Sequence, residues 1–390
     1  MKAKDERLMK LRRTIPQIEP AEALSRQKQG AVIIDVRESD EISQGSPKGA
    51  LRIQRGFLEL NVEEKIPNLD QEIHLICAAG LRSLFAADDL QRMGYLHVAS
   101  VEGGFDSWKD EGLPFEIPPT LDAKARERYA RHLVMPQVGV AGQIKLLESK
   151  VLCIGAGGIG SPVALYLAAA GVGTLGIIDH DVVDASNLQR QILHKESSIG
   201  RRKVDSARET LEAFNSSINV VTYNERLNSE NVENILRDFD VVIDGSDNLP
   251  TRYLVNDACV RLGIPNVHGA VFRFEGQVTV FWPGKAGSSG PCYRCLFPDY
   301  SRQDAPSCAQ AGVLGVLPGV IGLLQAVEGL KIILGIGRPL IGRMVFFDAL
   351  DASFHELKLR QNPKCRCCGK EAIFGGYQDY QLACATAANA

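Results

Sequence analysis

Residues 155–162 read GAGGIGSP and lie between two apolar runs, KVLCI at 150–154 and VALYLAAAG at 163–171. This order predicts a strand, a glycine-rich turn and a helix. In such a unit the glycines let an anion approach backbone N–H groups, and the helix dipole favours negative charge at that end. The stretch therefore predicts a phosphate-binding turn in a parallel α/β sheet.

The glycines of this turn fit the pattern G-x-G-x-x-G at Gly155, Gly157 and Gly160. Asp179 ends the next predicted strand, at the position where an acid that binds a ribose is expected. Taken alone, this pattern favours NAD at least as much as ATP.

Strands alternate with helices on both sides of residues 116–124, where Pro118 and Pro119 interrupt regular structure. The predicted elements before the prolines are strands at 31–36, 72–77 and 97–101 and a helix at 82–94. Those after them are a helix at 124–135, strands at 150–155, 174–179 and 240–245, and helices up to 171 and at 202–215. We therefore predict two α/β domains, the second a Rossmann-like, doubly wound sheet.

The predicted domain boundaries follow from this pattern. They are a first domain at 1–117, a linker at 118–123, a second domain at 124–376 and a tail at 377–390.

The composition gives no electrostatic reason to expect nucleic acid or an anionic membrane as a partner. The 390 residues are 45% hydrophobic and 23% charged, and the net charge is -3. The apolar stretch at 312–337 contains Pro318, Gln325, Glu328 and Lys331, which favours a buried core or subunit-interface helix over a membrane span. No apolar segment of signal-peptide type follows the basic N-terminus, so we expect a cytoplasmic protein.

Polar and charged side chains follow the second strand of the glycine-turn domain, at Asn187, Gln189, Arg190 and Lys203, and Asp247 follows a later strand. An enzyme that cleaves a triphosphate at its α-phosphorus needs fixed cations and a metal, whereas hydride transfer does not. Each of these residues taken singly also fits a plainer role, as a solvated charge or a helix cap. Together they favour ATP with Mg²⁺ bound at Asp247.

Ten cysteines in a chain expected in a reducing compartment are unlikely to form disulfides. Cys292 and Cys295 form one C-x-x-C pair, and Cys365 and Cys368 form another. Two such pairs predict a tetrahedral Zn²⁺ site, and four thiolates leave no open position for catalysis. Cys367 lies inside the second pair and is an alternative ligand.

Cys77 ends a predicted strand and begins the loop CAAGLR, which leads into a helix. Backbone amides, the helix N-terminus and Arg82 are all expected to favour an anion there. Gly80 and Ser83 also fit a loop built around a reactive sulfur rather than a buried structural cysteine. We therefore predict a nucleophilic thiolate or persulfide at Cys77.

Residues 120–375 resemble the ubiquitin-activating-enzyme-like adenylyltransferases of the molybdopterin-synthase and thiamine sulfur-carrier family. The segments that carry the resemblance are RYARHLVMPQVGVAGQIKL, the stretch from GAGGIGSP to LQRQILH, IGRRKVDSA, DGSDN, HGAVFRFEGQVTVF and CYRCLFP. The resemblance implies a homodimer that adenylates the C-terminal glycine of a ubiquitin-like sulfur carrier ending in Gly-Gly, using ATP and Mg²⁺.

The same resemblance assigns roles to residues of this sequence. Asn187, Arg190 and Lys203 bind phosphates, Asp247 the metal, and Arg131 reaches the ATP site of the twin subunit. The full set implied for the nucleotide is Arg131, Gly155, Gly157, Gly158, Gly160, Asp179, Ser186, Asn187, Leu188, Gln189, Arg190, Lys203, Asp247 and Asn248. The family also carries a structural zinc at the two cysteine pairs. Cys308 is placed in a crossover loop, where it attacks the acyl-adenylate or, on the alternative interpretation, is a half-buried apolar side chain.

The segments VIIDVRESDE, IQRGFLE and VEGGFDSW make the first domain similar to a rhodanese, a sulfurtransferase whose persulfide cysteine here is Cys77. Two departures from the family pattern are SPKGA at 46–50 and Ala78, and both bear on the choice of sulfur donor. The expected donor is a cysteine desulfurase or thiosulfate.

The predicted function combines adenylation of a sulfur carrier with sulfur transfer from Cys77 to give a thiocarboxylate, in molybdopterin cofactor biosynthesis. The predicted catalytic residues are Cys77, Arg82, Arg190, Lys203, Asp247 and Cys308. The nearest alternative is the same chemistry on a carrier for thiamine, tRNA thiolation or another pathway. An NAD-dependent oxidoreductase and a non-catalytic carrier scaffold are further alternatives.

Overall fold

In a computed structural model of the chain, the structure describes residues 3–117, 120–284, 290–298 and 312–380. These residues form two compact units, Met1–Thr120 and Leu121–Ala390. Helices and strands are numbered below in chain order among the described residues.

The first unit is built on a five-stranded parallel sheet in the order β1-β6-β5-β2-β4. Its strands are β1 Gln17–Ile18, β2 Val32–Asp35, β4 Leu51–Arg52, β5 Ile73–Ile76 and β6 Val98–Val101, with a separate antiparallel pair, β3 Ser46–Pro47 and β7 Phe115–Glu116. Its helices are α1 Ala3–Thr14, α2 Pro20–Lys28, α3 Ser39–Ile42, α4 Leu58–Lys65, α5 Arg82–Arg92 and α6 Gly104–Asp110.

Helices cover both faces of this sheet. Ile33 and Ile34 are neighbours on β2, yet they belong to different apolar clusters, because successive side chains of a strand point to opposite faces. Ile34 packs with Leu84 and Leu90 of α5, and Ile33 with residues of α2 and α6. The predicted α/β architecture of this unit is confirmed.

The second unit contains an eight-stranded sheet in the order β10-β9-β8-β11-β12-β13-β14-β15. The strands are β8 Lys150–Ile154, β9 Thr174–Ile178, β10 Asn219–Tyr223, β11 Val241–Asp244, β12 Asn266–Phe272, β13 Glu275–Phe281, β14 Arg343–Asp348 and β15 Ser353–Lys358. The helices are α7 Ala123–Arg128, α8 Ala130–Leu133, α9 Gly139–Glu148, α10 Gly160–Ala170, α11 Lys203–Phe214, α12 Val232–Leu236, α13 Leu249–Leu262, α14 Tyr293–Leu296 and α15 Leu317–Leu334.

The strands from β10 to β12 run parallel, and β12 to β15 pair antiparallel. The sequence predicted 240–245 as the third strand of the glycine-turn domain, and that order was wrong. The chain first forms β10 beside β9, and then crosses to form β11 on the other side of β8. Polar residues at both ends of β10 hid this edge strand, since its alternation of apolar side chains is short. The crossing places a topological switch point between β8 and β11, where open α/β sheets bind ligands.

Two further predictions concern helices of this unit. The helix expected at 124–135 is broken at Tyr129, whose buried side chain accepts a hydrogen bond from Asn215. The apolar helix α15 is long and apolar enough to cross a membrane by length and composition alone. Instead it packs against β12, β13 and α10, and its buried Gln325 amide donates to the carbonyls of Asp244 and Val267. It is a core helix of the unit, as predicted.

Candidate functional site

A cavity of about 590 Å³ opens at the carboxyl ends of β8 and β11. Most of the residues that the sequence implied for a nucleotide line it, namely Gly155, Gly157, Gly158, Asp179, Ser186, Asn187, Gln189, Arg190, Lys203, Asp247 and Asn248. Arg131, Gly160 and Leu188 are not among its lining residues. The topology therefore gathers into one place side chains that lie up to 93 positions apart, between Gly155 and Asn248.

The glycine turn closes between the end of β8 and the start of α10. Gly155 has a φ of +89°, a conformation that side chains disfavour, and its N–H donates to the Ile178 carbonyl at 2.8 Å. A Cβ on Gly160 would overlap the Gly155 carbonyl oxygen. The absence of a side chain at Gly160 thus permits the close approach of the Gly155 carbonyl, although Gly160 is not among the residues that line the cavity.

Asp179 braces this turn. One carboxylate oxygen accepts the Ala156 N–H at 2.9 Å, and the other accepts the Asp181 N–H at 2.9 Å. Each ionised oxygen has a further lone pair, so a ligand hydroxyl can still donate to it.

Lys203 begins α11 and is only 5% exposed. Its Nζ lies 2.9 Å from Asp181 Oδ2 and 4.0 Å from Asp179 Oδ2. Burial opposes ionisation of Asp181, but the hydrogen bond and charge of Lys203, with the nearby charges of His180 and Arg226, together outweigh it and hold the pKa of that carboxyl below its usual value. The ammonium is therefore compensated by carboxylates that any anionic ligand has to displace or share.

The segment from Asp184 to Gln191 folds into a short 3-10 turn with its polar side chains locked together. Asp184 accepts the Ser186 N–H at 2.8 Å and its hydroxyl at 2.5 Å, and these bonds lower the pKa of Asp184. Gln191 Nε2 donates to Asn187 Oδ1 at 2.7 Å. Arg190 Nη1 lies 3.4 Å from the Ser186 carbonyl. Sequence reasoning missed Asp184, for which the Asp-x-Ser spacing of an Asx turn was the available signal.

His194 was also missed, and it supports the glycine turn from beneath. Its Nε2 lies 2.9 Å from the Ala156 carbonyl, which can only accept, so Nε2 carries the proton and Nδ1 accepts from the Ser206 hydroxyl at 3.0 Å. Burial lowers the pKa of His194, which keeps the imidazole neutral in this arrangement.

Asp247 lines the cavity after β11. The plainer role considered for it was that of a helix cap, but Asn248 takes that role, because its Oδ1 accepts the Thr251 N–H at 3.0 Å at the start of α13. The Asp247 carboxylate is of the oxygen type that Mg²⁺ prefers.

Four cysteines of the second unit converge, and these are the four predicted from the two C-x-x-C pairs. The Sγ atoms of Cys292, Cys295, Cys365 and Cys368 all lie within 4.8 Å of one another. The three shortest contacts described between these free thiols are 3.4–3.9 Å long. Tetrahedral Zn–S bonds of ~2.3 Å place sulfurs roughly 3.8 Å apart, so the cluster can hold a zinc ion. Cys367 is not part of it, since its Sγ donates to Asp257 at 3.3 Å.

In the first unit, Cys77 is the first residue after β5 and is 1% exposed. Its Sγ lies 3.4 Å from the Ser83 hydroxyl, which in turn accepts from Ser100 at 2.8 Å. The carbonyls of Cys77 and Ala78 accept from the N–H groups of residues 105 and 106 at the start of α6, so the loop is held by backbone bonds.

Arg82 was predicted to favour an anion at Cys77, but its guanidinium is bound to Glu41 of α3. The two hydrogen bonds are 2.7 and 2.5 Å long. They raise the pKa of Arg82 and lower that of Glu41. The charge available to the Cys77 loop is therefore largely compensated. Cys308, the other predicted nucleophile, lies outside the described residues.

The fold and the cavity define a doubly wound α/β protein with a glycine turn of the anion-binding type and a cysteine cluster that can hold a metal ion. A further α/β unit carries a buried cysteine at the start of a loop. The chain belongs to the ThiF family, whose model matches residues 129–367, and a rhodanese-like domain matches residues 19–111. The resemblance expected for both parts of the chain is confirmed.

Several curated proteins are similar to this chain. The "Sulfur carrier protein adenylyltransferase" of Thermus thermophilus is 51% identical over 260 residues, which cover 66% of this chain and 96% of the relative. The "SAMP-activating enzyme E1" of Haloferax volcanii is 47% identical over 255 residues, covering 65% and 93%. The pig "Adenylyltransferase and sulfurtransferase MOCS3" is 48% identical over 276 residues, and the match spans 60% of that protein.

Among solved structures, Escherichia coli MccB bound to MccA-N7isoASN superposes with a TM-score of 0.55 at 25% identity, over 63% of this chain and 74% of that one. PaaA superposes with a TM-score of 0.54 at 21% identity, over 72% of this chain and 86% of that one, and this likeness concerns the fold alone.

Proposed function

We propose that the chain is an ATP-dependent adenylyltransferase with sulfurtransferase activity, acting on the C-terminal glycine of a ubiquitin-like sulfur carrier. The observation that carries the proposal is the cavity where the glycine turn, Arg190, Lys203 and Asp247 meet. Relatives named for adenylation of a sulfur carrier support the same assignment.

Adenylation turns a poor acyl donor into a good one. The carrier carboxylate oxygen attacks the α-phosphorus of ATP, the bond to the β-phosphate oxygen breaks, and pyrophosphate leaves with its electron pair. Backbone N–H groups of the glycine turn and the cations Arg190 and Lys203 stabilise the charge that develops on the phosphates. Asp247 would hold Mg²⁺, which supplies further positive charge at the phosphate oxygens.

Sulfur transfer then consumes the acyl-adenylate. The terminal sulfur of a Cys77 persulfide attacks the acyl carbon and AMP leaves, which gives an acyl disulfide on Cys77. A second thiol cleaves the S–S bond, releasing the thiocarboxylate and leaving that thiol in a disulfide with Cys77. A cellular thiol reductant then reduces that disulfide to two thiols and is itself oxidised to a disulfide, after which a cysteine desulfurase or thiosulfate reloads Cys77 with sulfur.

Several finer assignments belong to the same proposal. The cysteine cluster binds Zn²⁺ in a structural role, and the chain acts as a homodimer in the cytoplasm, with Arg131 completing the ATP site of the twin subunit. The pathway we favour is molybdopterin cofactor biosynthesis, and carriers for thiamine or tRNA thiolation are the alternatives. The domain boundaries given above are retained as part of the proposal.

Pyrophosphate exchange tests the adenylation step. With ATP and Mg²⁺ present, addition of a Gly-Gly carrier protein is expected to provoke exchange of labelled pyrophosphate into ATP. A panel of carriers from the three pathways identifies the substrate by the strongest response. Absence of exchange with every carrier, together with tight NADH binding, would replace the proposal by an oxidoreductase.

A further inference from the structure

Asp244 and His268 form a buried pair between the cavity and the cysteine cluster. Asp244 ends β11, His268 lies opposite it on β12, and each side chain is 1% exposed. His268 Nδ1 lies 3.1 Å from Asp244 Oδ2 and donates to it. Neither residue is among those that line the cavity.

The other oxygen of Asp244 holds the loop that carries Asp247. Asp244 Oδ1 accepts the Ser246 N–H at 3.0 Å and the Ser246 hydroxyl at 2.6 Å. The Ser246 carbonyl in turn accepts from Arg252 Nε at 3.2 Å and Nη2 at 2.9 Å. Ser246 and Asp247 both line the cavity. The orientation of the Asp244 carboxylate therefore fixes the position of a residue of the cavity wall.

The opposite side of His268 faces the cysteine cluster. Its ring lies 5.4 Å from the ring of Tyr293, which stands between Cys292 and Cys295 in the chain. The Tyr293 N–H donates to the buried Asn256 Oδ1 at 2.7 Å, which fixes this knuckle on α13. The second aromatic neighbour is Phe281, at 5.6 Å.

His268 keeps a polar atom in this apolar setting. Its Nε2 is buried and has no hydrogen-bond partner among the described residues. An unsatisfied buried nitrogen is costly, and an apolar side chain would fill the same space without that cost. The hydrogen bond that His268 does make, through Nδ1, orients the Asp244 carboxylate.

We propose that His268 is a positioning residue that couples the cysteine cluster to the loop 245–248. Tyr293 fixes the imidazole, the imidazole fixes the Asp244 carboxylate, and the carboxylate fixes Ser246 beside Asp247. The inference rests on the proposed function, because it assigns Asp247 to the Mg²⁺ that accompanies ATP. It adds that this metal requirement is set by residues that touch neither ATP nor Mg²⁺.

Two substitutions of His268 separate positioning from packing. His268→Leu keeps apolar bulk but removes the donor, and its Mg²⁺ concentration for half-maximal pyrophosphate exchange is expected to rise about tenfold, with kcat at saturating Mg²⁺ changed by less than about threefold. His268→Asn retains an N–H donor near the position of Nδ1 and is expected to stay within about threefold of the wild type. Val280→Ala serves as the matched control, because it removes buried side-chain volume from the same sheet. It is expected to lower the stability of the protein without changing the Mg²⁺ requirement.

Two readouts other than turnover accompany the comparison. Binding of a fluorescent ATP analogue is titrated at several Mg²⁺ concentrations, and the zinc content of each variant is measured, with all variants expected to retain wild-type zinc. A His268→Leu variant with an unchanged Mg²⁺ requirement overturns the inference, and so does a His268→Asn variant as impaired as the leucine variant. Loss of exchange in the wild type would instead overturn the proposed function, so the two failures are distinguishable.

Discussion

Arg82 and Glu41 form a bidentate ion pair, with N–O distances of 2.7 and 2.5 Å, across 41 positions of the sequence. Arg82 begins the helix that follows the Cys77 loop. The pair therefore joins α3 to the loop and compensates the cation nearest the sulfur in sequence. The remaining side chains between Cys77 and Arg82, at Ala78, Ala79 and Leu81, are uncharged.

Removing the charge of Glu41 is expected to help an anionic sulfur donor. In Glu41→Gln the amide oxygen still accepts from Arg82, but the pair now carries the uncompensated positive charge of the guanidinium beside the loop. We expect the rate at which thiosulfate loads Cys77 to rise about 2- to 10-fold, as one restored charge at this range allows. The mass increase of one sulfur on Cys77 measures it, without ATP or carrier. Glu59→Gln, which removes the negative charge from the Arg55–Glu59 pair of the same unit, is the matched control and is expected to have no effect.

Loss of the Cys77 sulfur is expected to separate the two activities. Cys77→Ala should abolish the thiocarboxylate formed with a persulfide or thiosulfate donor and leave carrier-dependent pyrophosphate exchange unchanged, since the described residues that line the cavity all belong to the second unit. Mass spectrometry of the carrier detects the thiocarboxylate. An equal yield from the variant would show that sulfur arrives by another route, such as Cys308.

The glycine turn offers a steric test. A methyl group at Gly160 meets the Gly155 carbonyl, and neither backbone can yield, so Gly160→Ala is expected to destabilise the second unit by about 2 kcal/mol or more. At Gly157 the nearest atom to an added Cβ is Gln191 Nε2 at 3.7 Å, and Gly157→Ala should fold with little loss. Thermal unfolding of the two variants measures the difference, and equal midpoints would contradict the proposed geometry of the turn.

The cysteine cluster predicts which thiols a metal needs. The wild type is expected to bind about one Zn²⁺ per chain, and Cys368→Ser should lose it together with thermal stability. Cys367→Ser is the matched control from the same knuckle, and it should retain the metal because Cys367 is bonded to Asp257. Elemental analysis decides between them. Metal loss in the Cys367 variant would place that thiol among the ligands.

His194 predicts a dependence of stability on pH. Burial lowers its folded-state pKa below the ordinary value of 6.5, so below that pH the unfolded chain binds more protons than the folded one. The contribution of neutral His194 is therefore complete above pH 6.5 and is lost as pH falls through the folded pKa. Between pH 7.5 and 5.5, the free energy of unfolding should fall more steeply in the wild type than in His194→Gln.

Emission of Trp282 reports on the second unit once Trp108 is replaced by Phe in both proteins, because the chain has two tryptophans. Denaturant unfolding curves at the two pH values then give the slopes. Parallel slopes for the two proteins would show that His194 is not the titrating group.

The sequence by itself determined the two α/β domains, the glycine turn and the two cysteine pairs. Each of these is encoded locally, as an alternation of apolar residues along a strand, a fixed spacing of glycines, or a three-residue step between thiols. The polar residues that follow the second strand and line the cavity were also predicted to come together, because parallel strands bring their carboxyl ends to one edge of a sheet.

Only the tertiary structure decided which charged side chains pair with one another. Lys203 faces Asp181, Arg82 faces Glu41, and Asp244 faces His268, and the two residues of each pair lie between 22 and 41 positions apart in the sequence. Strand order could not be read from periodicity, since β10 adds to one side of β8 and β11 to the other. The sequence shows which residues are charged. Which of them pair depends on which strands, helices and loops become neighbours, and this is determined only when the whole sheet packs.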